Sequence, residues 1–408
     1  MRSQQTPTRI CIYLENGYSF EGKGYGDFST PRSGEFVFCT AMSGIEESLT
    51  DPSFAGQILV NTVSHVGNTG FTGEDAESSR IWAEGLVCRH LENTPSNWRA
   101  KSSLAEWIVS ENRFVLEGID TREFTTLLRE CGSQRGIVVD SAQEWNKSKA
   151  IEYIRTNVPS MNGLDLTGKV TSEKAYTLET LKDLSTLGYW PLAWEFESQF
   201  EKATQSKFPR KKIAVWDFGV KRNTLRMLQA CGAEVQVLPA QSKAEEILAA
   251  GKDGILLSNG PGDPSACTHI IQELKKVLGK KPMFAICLGH QLVGLALGAK
   301  TYKMKFGHRG IHHPVTQLDS QGNGIRTWIT SQNHGFAVDA ESLPKNCRAS
   351  FVHGDDLSIE GLSAPEYQCE TVQFHPEAGP GPTDSSHLIR EFMLGIWKQD
   401  PIVEVVSR

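Results

Sequence analysis

The chain has 408 residues, of which 39% are apolar and 22% charged, and its 42 basic and 48 acidic side chains give a net charge of −6. This composition is that of a folded globular protein of two or three domains, and it excludes a disordered or fibrous chain. The acidic balance also argues against a dedicated nucleic-acid-binding protein, which usually presents a basic face.

The cysteines and the apolar runs limit the cellular setting. No apolar run approaches the roughly 20 residues of a membrane span, and the first 15 residues lack the apolar core of a signal peptide. The nine cysteines are scattered without a CxxC pair, which is typical of reduced thiols. We therefore expect a cytoplasmic protein without membrane contact. Neither HExxH nor a clustered Cys/His set occurs, so we also expect no metal site.

The first 150 residues predict a β-rich domain. Short apolar runs at Ile10–Leu14, Gly34–Thr40 and Gly56–Thr62 are separated by Gly-rich turns, a spacing typical of strands. One helix is expected from a cap at Asp120 to a stop at Gly132. Residues 151–210 are more polar, and we predict a connecting segment there, including a solvated basic stretch at 207–212.

From residue 211 to about residue 400 the pattern predicts an α/β domain with a mainly parallel sheet. Buried-strand runs alternate with amphipathic helical stretches. The predicted strands are Ile213–Phe218, Val235–Leu238, Gly254–Ser258 and Met283–Ile286, and a helix is expected over Gly289–Leu297. Ligands of such sheets bind beyond the carboxyl ends of the strands.

Cys287 lies between a predicted strand and a predicted helix. A nucleophile on such a sharp turn is lifted clear of the sheet, beside helix N–H groups that favour the thiolate and can stabilise an oxyanion. The alternative is a buried core thiol.

Two further segments support a reactive cysteine. Gly260-Pro-Gly262 follows another strand and could converge backbone N–H groups on an anion, or could be an ordinary turn. His375 and Glu377 are two residues apart and would face the same way in extended backbone. Each signal is weak alone, but in this order they indicate a Cys–His–Glu acyl-transfer site.

These motifs resemble those of the class I glutamine amidotransferases. Asn259–Pro264, Ile286–Gln291 and His375–Glu377 carry the general resemblance. Within that group the whole chain looks like the small, glutamine-hydrolysing subunit of carbamoyl-phosphate synthetase. That closer resemblance is carried by Asp217–Asn223, Ala299–Gly310, Thr330–Phe336, Leu49–Ser53, Gly67–Gly70, Ser96–Arg99 and Gly118–Arg122.

The resemblance implies a fold, a site and a partner. It implies a β-rich N-terminal domain followed by a flavodoxin-like amidotransferase domain, with Cys287 as nucleophile, His375 as general base and acid, and Glu377 as its orienting carboxylate. It places glutamine recognition on Ser53, Gly260, Gly262, Leu288, Gln291, Asn333, Gly335 and Phe336. Because Ser53 is in the other domain, the glutamine pocket is expected at a domain interface.

The resemblance further implies a hetero-oligomer. This chain would pass ammonia to a large subunit that makes carbamoyl phosphate from bicarbonate and ATP, for arginine or pyrimidine biosynthesis or both. No cofactor is expected on this chain, since ATP and Mg would be used by the large subunit. His290 and His334 are expected to be structural.

Some positions depart from the family pattern, which usually has Gly at Ala285, Ser at Gly379, His at Thr383 and a different turn over 353–360. None of these positions is a catalytic group. They leave open an alternative, a catalytically weak paralogue that acts as a binding or regulatory subunit. Another amidotransferase or a γ-glutamyl hydrolase fits less well, because of the N-terminal motifs.

Overall fold

A computed structural model describes residues 6–178 and 210–398. Within them the chain forms two compact units, one from residues 6–164 and 304–310 and the other from residues 165–178, 210–303 and 311–398. The domain boundaries predicted at 150 and 210 stay predictions. Most of the predicted connecting segment, including residues 207–209 of the basic stretch, lies outside the described residues.

The first unit is built mainly of strands. They are β1 (Thr8–Leu14), β2 (Ser19–Tyr25), β3 (Arg32–Cys39), β4 (Gln57–Asn61), β5 (His65–Val66), β6 (Gly85–Val87), β7 (His90–Leu91), β8 (Phe114–Glu117) and β9 (Gln134–Asp140). The helices are α1 (Ile45–Thr50), α2 (Leu104–Ser110), α3 (Thr121–Cys131) and α4 (Lys147–Asn157).

Seven of these strands close into a barrel in the order β1-β2-β8-β6-β4-β3-β9. Closure removes the exposed sheet edges that would otherwise template aggregation. Alternate residues of β1, Ile10, Ile12 and Leu14, are fully buried and pack with Phe36 and Phe124 in one apolar core. The β-rich fold predicted for this region is therefore confirmed.

Helix α3 has the limits that the sequence predicts. The Asp120 carboxylate accepts hydrogen bonds from the N–H groups of Arg122 (3.1 Å) and Glu123 (3.0 Å), so it satisfies two donors at the helix start. Gly132 ends the helix with φ 88°, a left-handed conformation that costs glycine little. Phe124 is fully buried on its inner face.

The second unit alternates strands and helices in its first part. Its strands are β10 (Tyr176–Leu178), β11 (Lys211–Asp217), β12 (Ala233–Pro239), β13 (Gly254–Leu257), β14 (Met283–Ile286), β15 (Thr301–Leu318), β16 (Gly324–Val338), β17 (Arg348–His353), β18 (Ile359–Ala364) and β19 (Cys369–Val372). Residues 304–310 of β15 belong to the first unit. The helices of the second unit are α5 (Thr167–Val170), α6 (Arg222–Ala230), α7 (Ala244–Ala250), α8 (Thr268–Val277), α9 (Leu288–Leu297) and α10 (His387–Lys398).

These strands form one ten-stranded sheet in the order β10-β12-β11-β13-β14-β19-β18-β17-β15-β16. The run β12-β11-β13-β14-β19 is parallel, as the alternating pattern predicts. Pairings on its two flanks, β10 with β12 and β19 with β18, are antiparallel. The predicted flavodoxin-like α/β domain is confirmed, but its sheet is mixed: the central strands are parallel, and β18, β17 and β15 continue it with antiparallel pairings.

Two local expectations are corrected by the structure. Lys211 and Lys212 open strand β11, and the Lys211 side chain is only 9% exposed, so this end of the basic stretch is not a solvated linker. The segment 353–360 is not a loop throughout, because β17 ends at His353 and β18 begins at Ile359. Glu360 is consequently a strand residue with a fully buried side chain.

Hydrophobic layers cover the two faces of the parallel sheet. Trp216 and Leu274 belong to the cluster on one face, and Val215 and Met393 belong to the cluster on the other. Successive residues of β11 therefore point to opposite layers, as strand geometry requires. Among residues 6–178 and 210–398, no helix is both long and apolar enough to cross a membrane.

Candidate active site

Four neighbouring parallel strands deliver the candidate site. Strands β11, β13, β14 and β19 lie side by side in the sheet, so their carboxyl ends meet at one edge. The segments that follow them are 218–223, 258–264, 287–291 and 373–379. The motifs singled out in the sequence are therefore brought together by topology.

Cys287 occupies a strained turn between β14 and α9. Its backbone has φ 53° and ψ −105°, a conformation that non-glycine residues rarely adopt and that concentrates at functional sites. The Cys287 N–H donates to the Val372 carbonyl at 2.8 Å, which ties the turn to β19. The side chain is 2% exposed, and its Sγ lies 3.7 Å from the Asn333 carbonyl oxygen.

His375 and Glu377 form a tight, fully buried pair. The His375 Nδ1 lies 2.6 Å from the Glu377 Oε1, so the carboxylate fixes the orientation of the ring. Burial alone would lower the pKa of His375, but the Glu377 carboxylate, helped by Cys287, outweighs it and raises the pKa to about 10. The pair follows β19, to whose last residue, Val372, the Cys287 N–H is bonded.

Glu377 stays ionised although it is buried. Burial alone would raise its pKa, but the charges of Lys221 and His375 lower it to about 2. The Lys221 Nζ lies 3.0 Å from the Glu377 Oε1 and also donates to the Ala378 and Gly379 carbonyls. The Asn223 side-chain amide donates to the Glu377 carbonyl. The segment after β11 thus contacts Glu377 at both its carboxylate and its backbone carbonyl.

Strand β16 runs beside the triad, which consists of Cys287, His375 and Glu377. The His375 N–H donates to the Ser331 carbonyl at 2.9 Å, forming an isolated antiparallel bridge. This bridge brings Asn333 next to Cys287.

The glycine segment after β13 lies against the start of α9. The Gly289 N–H donates to the Ser258 carbonyl at 3.1 Å. A Cβ at Gly260 would lie 2.8 Å from the Leu288 Cδ2 and 2.3 Å from the Phe218 carbonyl oxygen, so no side chain fits there. Gly262 has φ 92°, which favours glycine. The Leu288 N–H, at the first turn of the helix, has no intrahelical acceptor and is suited to hold an oxyanion.

Comparison with known proteins identifies the family. Residues 12–138 match the domain family described as carbamoyl-phosphate synthase small chain, CPSase domain. Residues 214–394 match glutamine amidotransferase class-I. The carbamoyl phosphate synthase small chain of Haemophilus ducreyi is 43% identical over 392 residues, covering 94% of this chain and 97% of that protein. The small chain of Pseudomonas aeruginosa is 44% identical over 384 residues, with the same coverage of both chains.

The chain belongs to the carbamoyl phosphate synthase small chain family. The resemblance seen in the motifs is thereby confirmed. Both predicted domain types are present, and the match with these relatives runs nearly end to end.

The structure places most of the predicted small-chain site residues in the second unit. Cys287, His375 and Glu377 are together there, with Asn333 beside the thiol. The other predicted glutamine contacts in this unit are Gly260, Gly262, Leu288, Gln291, Gly335 and Phe336. Ser53 belongs to the first unit, where its N–H donates to the Asp51 carboxylate at 2.9 Å in a short 3-10 helix, Pro52–Phe54. The binding roles of these residues stay predictions.

Gln291 is already engaged within the protein. Its side-chain Nε2 donates to the Phe336 carbonyl (2.8 Å) and to the Gln373 Oε1 (2.9 Å). Both amide hydrogens are therefore used, and only its Oε1 could accept a hydrogen bond from a substrate amine. Gln291 also fixes the position of Phe336.

The two neighbouring histidines have structural partners. The His290 Nδ1 lies 2.7 Å from the Thr371 hydroxyl, and burial lowers the pKa of His290 to about 3, so the ring is neutral. The His334 Nδ1 lies 2.8 Å from the Phe336 carbonyl oxygen and holds its own loop. These contacts agree with the structural roles expected for both.

The positions that depart from the family pattern are accommodated. Ala285 is fully buried, and its methyl group belongs to the apolar core next to the Cys287 turn. The Gly379 carbonyl accepts a hydrogen bond from the Lys221 Nζ at 3.1 Å, a contact that needs no side chain at 379. Thr383 is exposed.

Sequence reasoning missed Lys221 and Asn223 as site residues. Both lie in the family motif Asp217–Asn223, but a lysine in a sequence is normally expected at the surface. The signal that could have found Lys221 is its position directly after a buried parallel strand, at the sheet edge where ligands bind.

Proposed function

We propose that this chain hydrolyses the side-chain amide of L-glutamine to glutamate and ammonia. The observation that carries the proposal is the buried His375–Glu377 pair, 2.6 Å between Nδ1 and Oε1, beside a cysteine on a strained strand–helix turn. A nucleophile, a base and an orienting carboxylate in this arrangement suit acyl transfer.

The first half of the reaction forms a thioester. The Cys287 thiolate attacks the amide carbon of glutamine, and the tetrahedral oxyanion is held by the Leu288 N–H and the Gly260–Gly262 turn. His375, with its raised pKa, is protonated at neutral pH. It donates its Nε2 proton to the departing nitrogen as the carbon–nitrogen bond breaks, releasing ammonia and leaving a γ-glutamyl thioester on Sγ.

The second half releases glutamate. The now neutral His375 takes a proton from water, and the resulting hydroxide attacks the thioester carbonyl. The carbon–sulfur bond breaks, glutamate leaves, and the thiolate and imidazolium are restored. Glu377 stabilises the imidazolium in both halves and keeps its Nδ1 bonded.

The proposal extends to a heteromeric complex. Because the relatives are named small chains, we infer a large-subunit partner that receives the ammonia and makes carbamoyl phosphate from bicarbonate and ATP. Such a complex would serve arginine or pyrimidine biosynthesis, or both, in the cytoplasm. ATP and Mg would be used by the partner, so this chain would need no cofactor.

Glutamate release from glutamine tests the proposal. The chain should hydrolyse glutamine weakly alone and much faster with a cognate large subunit, bicarbonate and ATP. Cys287→Ser should abolish glutamine hydrolysis but should still bind the large subunit. Cys347→Ser is the matched control, a buried cysteine elsewhere in the second unit, and it should remain active. Folded wild type that is inactive in both conditions would favour the binding-subunit alternative.

A further inference from the structure

Glu360 is a fully buried carboxylate for which the proposed reaction has no step. It lies on β18, and its backbone carbonyl accepts a hydrogen bond from the Gln373 N–H at 2.8 Å. A buried carboxylate costs several kcal/mol unless other groups compensate its charge. The groups that contact the Glu360 carboxylate therefore indicate its structural role.

Two of those partners flank Asn333 in the sequence. The Gln332 Nε2 donates to the Glu360 Oε2 at 2.7 Å. The His334 Nε2 lies 3.6 Å from the Glu360 Oε1, and both of these side chains are almost fully buried. One carboxylate therefore contacts the residues on both sides of Asn333, by a hydrogen bond on one side and a longer electrostatic contact on the other. The Asn333 carbonyl oxygen is 3.7 Å from the Cys287 Sγ.

The chemistry of the donor and acceptor atoms determines which of them carries the proton in these contacts. The Phe336 carbonyl can only accept, so the His334 Nδ1 that contacts it carries a proton. The other nitrogen, Nε2, lies 3.6 Å from the Glu360 Oε1, which is an electrostatic contact and is too long for a hydrogen bond. The Gln332 amide supplies a donor to the second carboxylate oxygen. The Gln332 hydrogen bond thus fastens β16 to β18, and the contact with His334 lies on the other side of Asn333.

We propose that Glu360 is a positioning residue for glutamine, which fixes the stretch 332–336 so that Asn333, Gly335 and Phe336 can bind the substrate. This inference rests on the proposed glutaminase function. Glu360 acts through Gln332 and His334 and is not a catalytic residue, because the contacts of His375 with Glu377, and of Glu377 with Lys221, do not pass through it. Its loss should therefore weaken glutamine binding more than it slows the chemical steps.

Two substitutions separate the proposal from a general packing role. Glu360→Leu removes both contacts and leaves two buried polar groups without this partner. Loss of a hydrogen bond to a charged group corresponds to about a 10-fold or greater rise in KM for glutamine, with kcat changed by less than about 3-fold. Glu360→Gln keeps one acceptor for Gln332 and supplies an N–H for the His334 Nε2, so it should restore KM to within about 3-fold of wild type.

Glu370, an exposed carboxylate on the neighbouring strand, provides a control outside this cluster. It lies on the adjacent strand β19, and its Oε1 accepts a hydrogen bond from the Ser363 hydroxyl at 2.7 Å. Glu370→Leu and Glu370→Gln remove a carboxylate from the same sheet without touching β16. Both should leave KM and kcat within about 2-fold of wild type.

Steady-state glutaminase kinetics and thermal melts of the full chain decide the outcome. A raised KM in Glu360→Leu, with kcat retained and with rescue by Glu360→Gln, supports the proposal. An unchanged KM in folded Glu360→Leu overturns it, and so does an equal fall in kcat for both variants. If Glu360→Leu does not fold, Gln332→Met decides by the same criterion. Inactive wild type would instead overturn the proposed function itself.

Discussion

Lys221 and Glu377 form a buried ion pair, 3.0 Å between Nζ and Oε1, and both side chains are at most 2% exposed. The lysine follows β11 and the glutamate follows β19, strands that are separated in the sheet by β13 and β14. The ion pair therefore joins the segments that follow the two outer strands of the site. The same carboxylate oxygen also contacts His375.

Loss of Lys221 should weaken both stability and catalysis. Lys221→Met leaves Glu377 with one fewer positive neighbour, so we expect the free energy of unfolding to fall by about 3 kcal/mol, with a lower kcat. Urea unfolding measures the first effect and glutamate release the second. The control is Lys212→Met, which breaks a half-exposed pair with Glu234 at 3.5 Å. It should cost less than about 1 kcal/mol, and an equal loss in both variants would contradict this reading.

The pH dependence of hydrolysis should report the charge on Glu377. The carboxylate raises the pKa of His375, so the imidazolium that donates to the leaving nitrogen persists to a pH near 10. Glu377→Gln removes that charge, and the alkaline limb of the rate profile should move down by about 1–3 pH units. Glu370→Gln should leave the limb where it is. An unmoved limb in Glu377→Gln would show that another group controls it.

The close approach at Gly260 predicts a steric effect at the oxyanion site. In Gly260→Ala the new Cβ would meet the Phe218 carbonyl and the Leu288 side chain, so the turn must shift from the Leu288 N–H. We expect kcat to fall by about 10-fold or more. Gly395→Ala is the control, since nothing lies within 4 Å of its added Cβ in α10. It should keep full activity and should be more stable, by about 0.5–1 kcal/mol.

Most of the parallel core of the second unit was predictable because its strands are short apolar runs that alternate with amphipathic helical stretches. Cys287 was predictable because it follows the apolar run Met283–Ile286, whereas His375 and Glu377 were found from their spacing and motif, since β19 was not among the predicted strands. Closure of the barrel in the first unit and the antiparallel half of the large sheet were not predictable. Those features depend on pairing between distant segments, such as β1 with β9, and local periodicity does not encode such pairing.

The polar interior was the harder part to predict. Lysine and glutamate are expected at the surface, so Lys221 and Glu360 gave no sign that both are buried under the site. Gln291 was predicted to bind substrate, yet its amide hydrogens are used by Phe336 and Gln373. Such roles follow from three-dimensional neighbours rather than from the residue type.

The account depends most directly on a covalent intermediate at Cys287. Radiolabelled glutamine mixed rapidly with the chain and quenched in acid should leave label on the peptide that contains Cys287, because a thioester survives acid. The label should be absent in Cys287→Ser and present in Cys347→Ser. Glutamate release that persists in folded Cys287→Ser, or label on a different residue, would contradict the assignment of Cys287 as the nucleophile.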